Sequence, residues 1–293
     1  VLLPGIGSRV RDSGVWPFSN SVLRVAAELR AIPGVAAVGE PESRAGDLTF
    51  RNNVFFTVFE ENTLSSTETT RLVDAISATL ATAQGSTRFM VELDLGEISV
   101  GISPIAGLNA DRLELASDLA QLDGVVRATV LWPDQNDDLI IDESNSSLNV
   151  WVQARAGSPL ALLDLVRPYL GVTDPPQVTA VILGSNPVRE RVYSWGAADD
   201  IEGGTRQLTV QGDDAALWHV IGQLENAEDV SGYIVHHSGA FIAFDEGVDV
   251  RDAISALSVP TEWQYIEALT PAGKDEWAQE HFNVRVETTP EGT

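Results

Sequence analysis

The 293-residue chain has no cysteine. That excludes thiol nucleophiles, disulfides and every thiolate metal site together. Lysine is almost missing too: Lys274 stands alone beside 17 arginines, and 18 basic residues face 43 acidic ones, a formal net charge of −25. Phosphate-rich partners need a basic surface, so nucleic acid is not an expected partner and anionic membrane surfaces are disfavoured. No apolar run reaches the roughly 18–20 residues a membrane-spanning helix requires. Membrane contact is therefore expected only through an N-terminal anchor outside this chain. Four histidines (His219, His236, His237 and His281) leave little material for histidine-based catalysis.

What the chain does have is repetition. The segment Ser19 to Val35 realigns at a shift of 90 with Asn109 to Val125, and at a shift of 195 with the region of Trp218 to Val230. Matching positions are Leu23/Leu113/Trp218, Ala26/Ala116/Ile221, Leu29/Leu119/Leu224 and Val35/Val125/Val230, all apolar or small. Their steps of three predict one buried helix face. Pro33-Gly34, Asp123-Gly124 and Glu228-Asp229 then stop each helix ahead of a strand. A second helix repeats as Leu72 to Leu80, Leu162 to Leu170 and Val250 to Leu257, and the tetrapeptides 74–77 and 252–255 are identical. The shift of 90 holds across two separate helices, the mark of an internal repeat.

Around these anchors the pattern predicts strand, helix, strand, strand, helix, strand three times. The domains expected are residues 1–95 with an N-terminal leader, 96–185, a linker at 186–205, 206–270 and a tail at 271–293. The first helix is expected at 20–32, with a polar loop holding Pro41, Glu42, Arg44 and Gly46, and an extra strand is expected at 282–286. Each unit is large enough for a single core. The element order resembles the ferredoxin-like βαββαβ fold. The resemblance implies an α+β protein of three tandem ferredoxin-like units, antiparallel sheets with helices on one face. Fold alone does not assign function.

Strand Val54 to Phe59 turns Val54, Phe56 and Val58 one way and Phe55 and Phe59 the other, so both of its faces are apolar. Trp151 interrupts a polar strand face in the same manner. Packing within the chain accounts for such residues. A partner or ligand surface at Phe55, Phe59 and Trp151 is the functional alternative.

Catalytic and cofactor motifs are largely missing. His236 and His237 are adjacent on a strand and point to opposite faces, a poor chelate. Asp134, Asn136, Asp138 and Asp142 resemble a calcium loop, but Leu139 and Asn145 stand where an EF-hand needs Gly and Glu. They remain candidate ligands of an irregular calcium site in an acidic hairpin at 133–145. Gly5-Ile6-Gly7 lacks a third glycine, since Val10 stands there. Leu122 to Val125 resembles heavy-metal-associated domains, whose cysteine pair is absent here. RNA-recognition strand motifs are missing, and Gly107 is compatible with an amino-acid-binding regulatory (ACT) loop. Paired acids such as Asp199-Asp200 discriminate nothing in so acidic a chain. Asp213 and Asp214 read as a helix cap.

High arginine, alanine and valine with one lysine resembles actinobacterial exported proteins. The expectation is a non-enzymatic, extracytoplasmic protein, secreted or lipid-anchored at a bacterial envelope, acting in protein–protein contact or scaffolding without a cofactor. Binding of a small molecule or calcium, between units or at the acidic hairpin, is the alternative, and an enzyme with dispersed carboxylates is the third reading.

Overall fold

A computed structural model describes residues 20–45, 52–60, 64–83, 87–132, 148–170, 177–184, 204–211, 215–237, 239–260, 263 and 265–269. The chain divides into two compact units, Val1–Asp94 with Ile102–Asn109 and Leu95–Gly101 with Ala110–Thr293.

The first unit holds α1 (Asn20–Arg30), β1 (Val35–Val38), β2 (Glu42–Ala45), β3 (Asn52–Glu60), α2 (Ser66–Ala83) and β4 (Thr87–Asp94). β3 is antiparallel to β1 and to β2, and parallel to β4. The expected loop around Glu42 is therefore a strand, because its backbone pairs along Asn52 to Phe55. Ser65 and Glu68 open α2 with a reciprocal capping box: the Ser65 N–H donates to Glu68 Oε2 (2.9 Å) and the Glu68 N–H to Ser65 Oγ (3.4 Å). Leu72, Val73, Ile76 and Leu80 bury one face of α2, and Val54, Phe56 and Val58 bury one face of β3. Phe56 and Phe89 stack at 6.3 Å within this core.

β5 (Ile98–Ile102) and α3 (Ala106–Ala120) carry the chain between the units. The second unit continues with β6 (Val125–Leu131), β7 (Asn149–Ala154), α4 (Pro159–Val166) with a 3₁₀ turn at Arg167–Tyr169, β8 (Gln177–Ile182), β9 (Arg206–Gln211), α5 (Ala215–Asn226), β10 (Val230–His236), β11 (Gly239–Phe244), α6 (Val250–Ser255) and β12 (Tyr265–Leu269). The strands lie in sequence order from β5 to β12. Pairs joined by a helix are parallel, as β5–β6, β7–β8, β9–β10 and β11–β12; hairpin pairs such as β6–β7 and β10–β11 are antiparallel. Helices α4, α5 and α6 are neighbours. The Arg167 guanidinium lies 5.0 Å from the Trp218 ring, and the Ser258 N–H donates to Gln223 Oε1 at 2.9 Å.

The α+β class stands, with mixed sheets. The ferredoxin-like arrangement does not. That fold splits each βαβ pair with a third strand and leaves every neighbour antiparallel. Here β5 and β6 pair directly, as Ile98 with Ala128 and Val100 with Val130, and so do β7 and β8. A helical crossover brings the chain back parallel, and with no strand inserted the parallel pairs persist.

The repeat itself has a structural counterpart. After α1, α3 and α5 the same two backbone bonds form. The N–H groups of Ile32, Leu122 and Ala227 reach the carbonyls of Leu29, Leu119 and Leu224, and those of Val35, Val125 and Val230 reach the carbonyls of Ile32, Leu122 and Ala227. Each following strand then carries a register shift at the aligned valine: Val35/Ala37, Val125/Arg127 and Val230/Gly232. Such bulges re-aim a strand and are not chance irregularities. Gly34 and Gly124 take φ of 94° and 81° at these turns, a conformation open to glycine at little cost.

The buried helix face is rotated by one position from the expected one. Leu23 is 58% exposed, whereas Val22, Val25, Ala26 and Leu29 are buried. The equivalent stripe in α5 is Leu217, Val220, Ile221 and Leu224. The aligned Leu23/Leu113/Trp218 column flanks that stripe, because a step of three drifts around a helix of 3.6 residues per turn.

Candidate functional site

Two sheet faces carry the sequence-derived interaction residues. In the first unit the alternation along β3 is as expected: Val54, Phe56 and Val58 are at most 2% exposed, while Phe55, Thr57 and Phe59 are half-buried on the other side. Register places Met90, Glu92 and Asp94 of β4 beside Phe55, Thr57 and Phe59. On that face β4 contributes Arg88, Met90, Glu92 and Asp94, of which Met90 and Asp94 are buried. Burial raises the Glu60 carboxyl above its ordinary range, opposed in part by a backbone hydrogen bond from Leu64.

In the second unit β6–β9 have one aliphatic face, exemplified by the cross-strand row Ala128, Val152, Ala180 and Leu208. The apolar stripes of α4 and α5 are buried as a helix layer on such a face requires. The opposite face is polar. One row across it reads Ser99, Thr129, Trp151, Thr179 and Thr209, each paired with the next. His236 follows on the same face, one residue beyond the Leu208–Val235 pair. The adjacent row reads Arg127, Gln153, Val181, Gln207, Ile234 and Phe241.

This polar face is shielded from solvent. Ser99 and Thr179 are 0% exposed, His236 1%, and Gln207 7%. The Thr179 and Thr209 hydroxyls satisfy each other at 3.0 Å. Arg127 donates through Nη1 to the Gly96 carbonyl at 2.8 Å. Gln207 Oε1 is buried without a donor among the described residues, a situation that costs desolvation without return. Burial holds the His236 pKa down at about 4, with the neighbouring His237 adding a smaller push. The two imidazoles meet edge-on at 5.8 Å. His237 itself is exposed, in the turn that follows β10.

Trp151 thus stands half-buried in the hydroxyl row of the second unit, whereas Phe55 and Phe59 belong to the first. The candidate calcium ligands Asp134, Asn136, Asp138 and Asp142 lie outside the described residues, as do the caps Asp213 and Asp214 and His281. His219 is exposed on α5, and Gly107 is exposed within α3 instead of in a loop. No cluster of three metal-ligating side chains occurs among the described residues.

One buried group escaped the sequence reading. Arg112 is 3% exposed on α3 and donates through Nη1 to the Gly101 carbonyl at 2.8 Å. The shift of 90 aligns it with Val22 and the shift of 195 aligns Val22 with Leu217, so a cation stands where the other repeats bury an aliphatic side chain. The signal was present in the alignment, one column beside the columns read. Gly101 is fixed by Trp132: a Cβ there would come within 2.8 Å of the indole. Comparison with protein-family models, with curated proteins and with solved structures gives no match.

Proposed function

We propose that this chain is a non-enzymatic protein–protein interaction module, exposed outside the cytoplasm as a secreted or envelope-anchored domain of a bacterial, actinobacterial-like protein. The observation that carries the reading is the split character of β3. Its inner residues Val54, Phe56 and Val58 are sealed, yet Phe55 and Phe59 stay half-buried on the opposite face beside Glu92 and Asp94. Half-buried aromatic rings beside carboxylates are among the side chains that protein contact surfaces favour. The net charge of −25 favours a partner with a basic surface and suits association steered at long range.

The test compares the intact chain with the Phe55→Ser/Phe59→Ser double variant in chemical crosslinking on cells of the source organism. A partner crosslinked by the parent and lost from the folded variant supports the contact face. Identical crosslinks from both remove β3 from the interface. The alternative reading, a binder of a small molecule or calcium, draws on the buried polar row and on the acidic segment 133–145. Native mass spectrometry with calcium and with chelator decides it: a retained, chelator-sensitive mass supports the ion, and an unchanged 31.5 kDa species rejects it.

A further inference from the structure

The second and third repeats show what the first one lacks. β6 and β10, the strands that follow α3 and α5, each carry a parallel strand on the side away from their hairpin partner: β5 beside β6, and β9 beside β10. β1, the strand that follows α1, pairs with β3 alone among the described residues and stands at the end of the strand order. Its backbone is set for one more strand. The Gly39 N–H donates to the Thr57 carbonyl of β3 at 2.8 Å, so the Val38 N–H, one residue earlier, points away from β3. The aligned amides of the other repeats are both used on that side: Ala128 donates to the Glu97 carbonyl at 2.9 Å and Tyr233 to the Thr205 carbonyl at 3.1 Å. β1 reads Val-Ala-Ala-Val, without the charge or proline that commonly protects an exposed edge. The bulge at its start recurs in β6 and β10, which pair beyond it all the same. Side-chain exposure agrees. Ala36 and Ala37 are exposed, whereas Val126, Arg127, Ser231 and Gly232 at the matching places are half-buried or buried. Leu23 is exposed as well, while the matching Trp218 is half-buried and meets Arg167, which precedes it by one helix, at 5.0 Å. The Leu23 column thus faces the side on which a previous repeat lies.

We propose that the β1 edge is a strand-addition site for an extended segment of a partner protein, aliphatic at alternate residues and running parallel to β1. The chain itself shows such an occupant twice. Val100 of β5 and Leu208 and Val210 of β9 are buried at alternate positions, and each strand lies parallel to the counterpart of β1. In strand addition the main-chain hydrogen bonds supply affinity and the alternate side chains supply selectivity. The sequence ahead of α1 does not have this pattern. The shift of 90 sets Ser8, Val10 and Asp12 at the places of Ile98, Val100 and Ile102, so two of the three aliphatic positions are polar. A strand that fits is therefore assigned to a partner. The inference concerns the edge of the first unit's sheet, not the face that bears Phe55 and Phe59, and stands without that reading.

The probe is a fluorescein-labelled synthetic peptide with the sequence of residues 97–103, added to the full chain. Binding is read by anisotropy and by amide exchange at Val38 in NMR spectra. Saturable binding is expected, with exchange of the Val38 amide slowed by about tenfold or more. A control peptide with Ser at its three aliphatic places is expected not to bind. Leu23→Asp sets a charge where the aliphatic side of the added strand rests. Val38→Pro removes the outward N–H at a place where an edge strand tolerates proline. Each is expected to weaken the peptide by about tenfold or more. The Phe55→Ser/Phe59→Ser variant is expected to bind it as the parent does, and a loss there moves the peptide to the face and overturns the edge site. No saturable binding, equal binding of the control peptide, or parental affinity in Leu23→Asp overturns it too. So does a Val38 amide already protected in the free chain, or a dimer that Leu23→Asp returns to 31.5 kDa, because either shows the edge filled by this chain. Should Val38→Pro fail to fold, Leu23→Asp decides.

Discussion

Gln207 carries one of the buried polar atoms left without a hydrogen bond among the described residues. Its Oε1 is buried and lacks a donor among the described residues, and its row neighbours Val181 and Ile234 are apolar. An unmade hydrogen bond of this kind costs about 1–3 kcal/mol, and an apolar group of similar shape removes the cost. Gln207→Leu is therefore expected to stabilise the chain by about 1 kcal/mol in urea denaturation. A loss of stability of the same size would show that Gln207 makes a bond through residues outside those described. At this scale the sequence was informative for one type of residue. The alternation of β3 set Phe55 and Phe59 on the face opposite Val54, Phe56 and Val58, because strand geometry is local. It said nothing of Gln207, Thr179 or His236, since an alternating polar face reads as solvated until tertiary contacts seal it. His236 looked like half of a failed chelate, and its burial is what gives it a distinct chemistry.

At the scale of elements, the helices were legible: the one expected at 20–32 spans Asn20–Arg30. Periodicity and stop signals act within a few residues, and these elements follow them. Strand order was not legible. The order strand-helix-strand-strand-helix-strand is compatible with both split and adjacent crossovers, and pairings such as Ile98 with Ala128 and Val150 with Val178 distinguish them. β2 was missed because its residues Glu42, Ser43 and Arg44 are poor strand formers whose pairing with β3 supplies the structure. The repeat has a use at this scale. Position 112 is equivalent to Val22 and Leu217, so an aliphatic side chain suits the site that Arg112 fills. Replacing a buried charge by an apolar side chain of similar volume is often neutral, whereas truncation leaves a cavity. Arg112→Leu is expected to change stability by less than about 1.5 kcal/mol. Arg112→Ala should cost about 2–4 kcal/mol by the same denaturation measurement. Equal losses from the two would assign the guanidinium a specific polar task, and the repeat would then be a poor guide at that column.

For the whole molecule the dominant feature is charge, and it was fully legible because net charge needs no fold. Forty-three acidic residues against 18 basic ones repel one another in any compact state. Salt weakens that repulsion, with a screening length near 10 Å at 0.1 M. It also weakens attractive pairs, so the net sign depends on which term is larger. The exposed pairs Arg24–Glu28 at 3.8 Å and Arg167–Asp164 at 3.6 Å are of the kind that contribute less than about 1 kcal/mol each. Repulsion among a 25-charge excess should outweigh them. Raising sodium chloride from 20 to 500 mM is therefore expected to increase Tm by about 2–5 °C. The same rise in choline chloride would identify screening as the cause, because choline does not occupy carboxylate cation sites. A Tm that falls with either salt would mean that attractive pairs, more numerous than the exposed ones named, hold the acidic chain together. A rise with a few millimolar calcium, and none with choline, would place a specific ion among the carboxylates and move the functional reading from contact surface to cation binding.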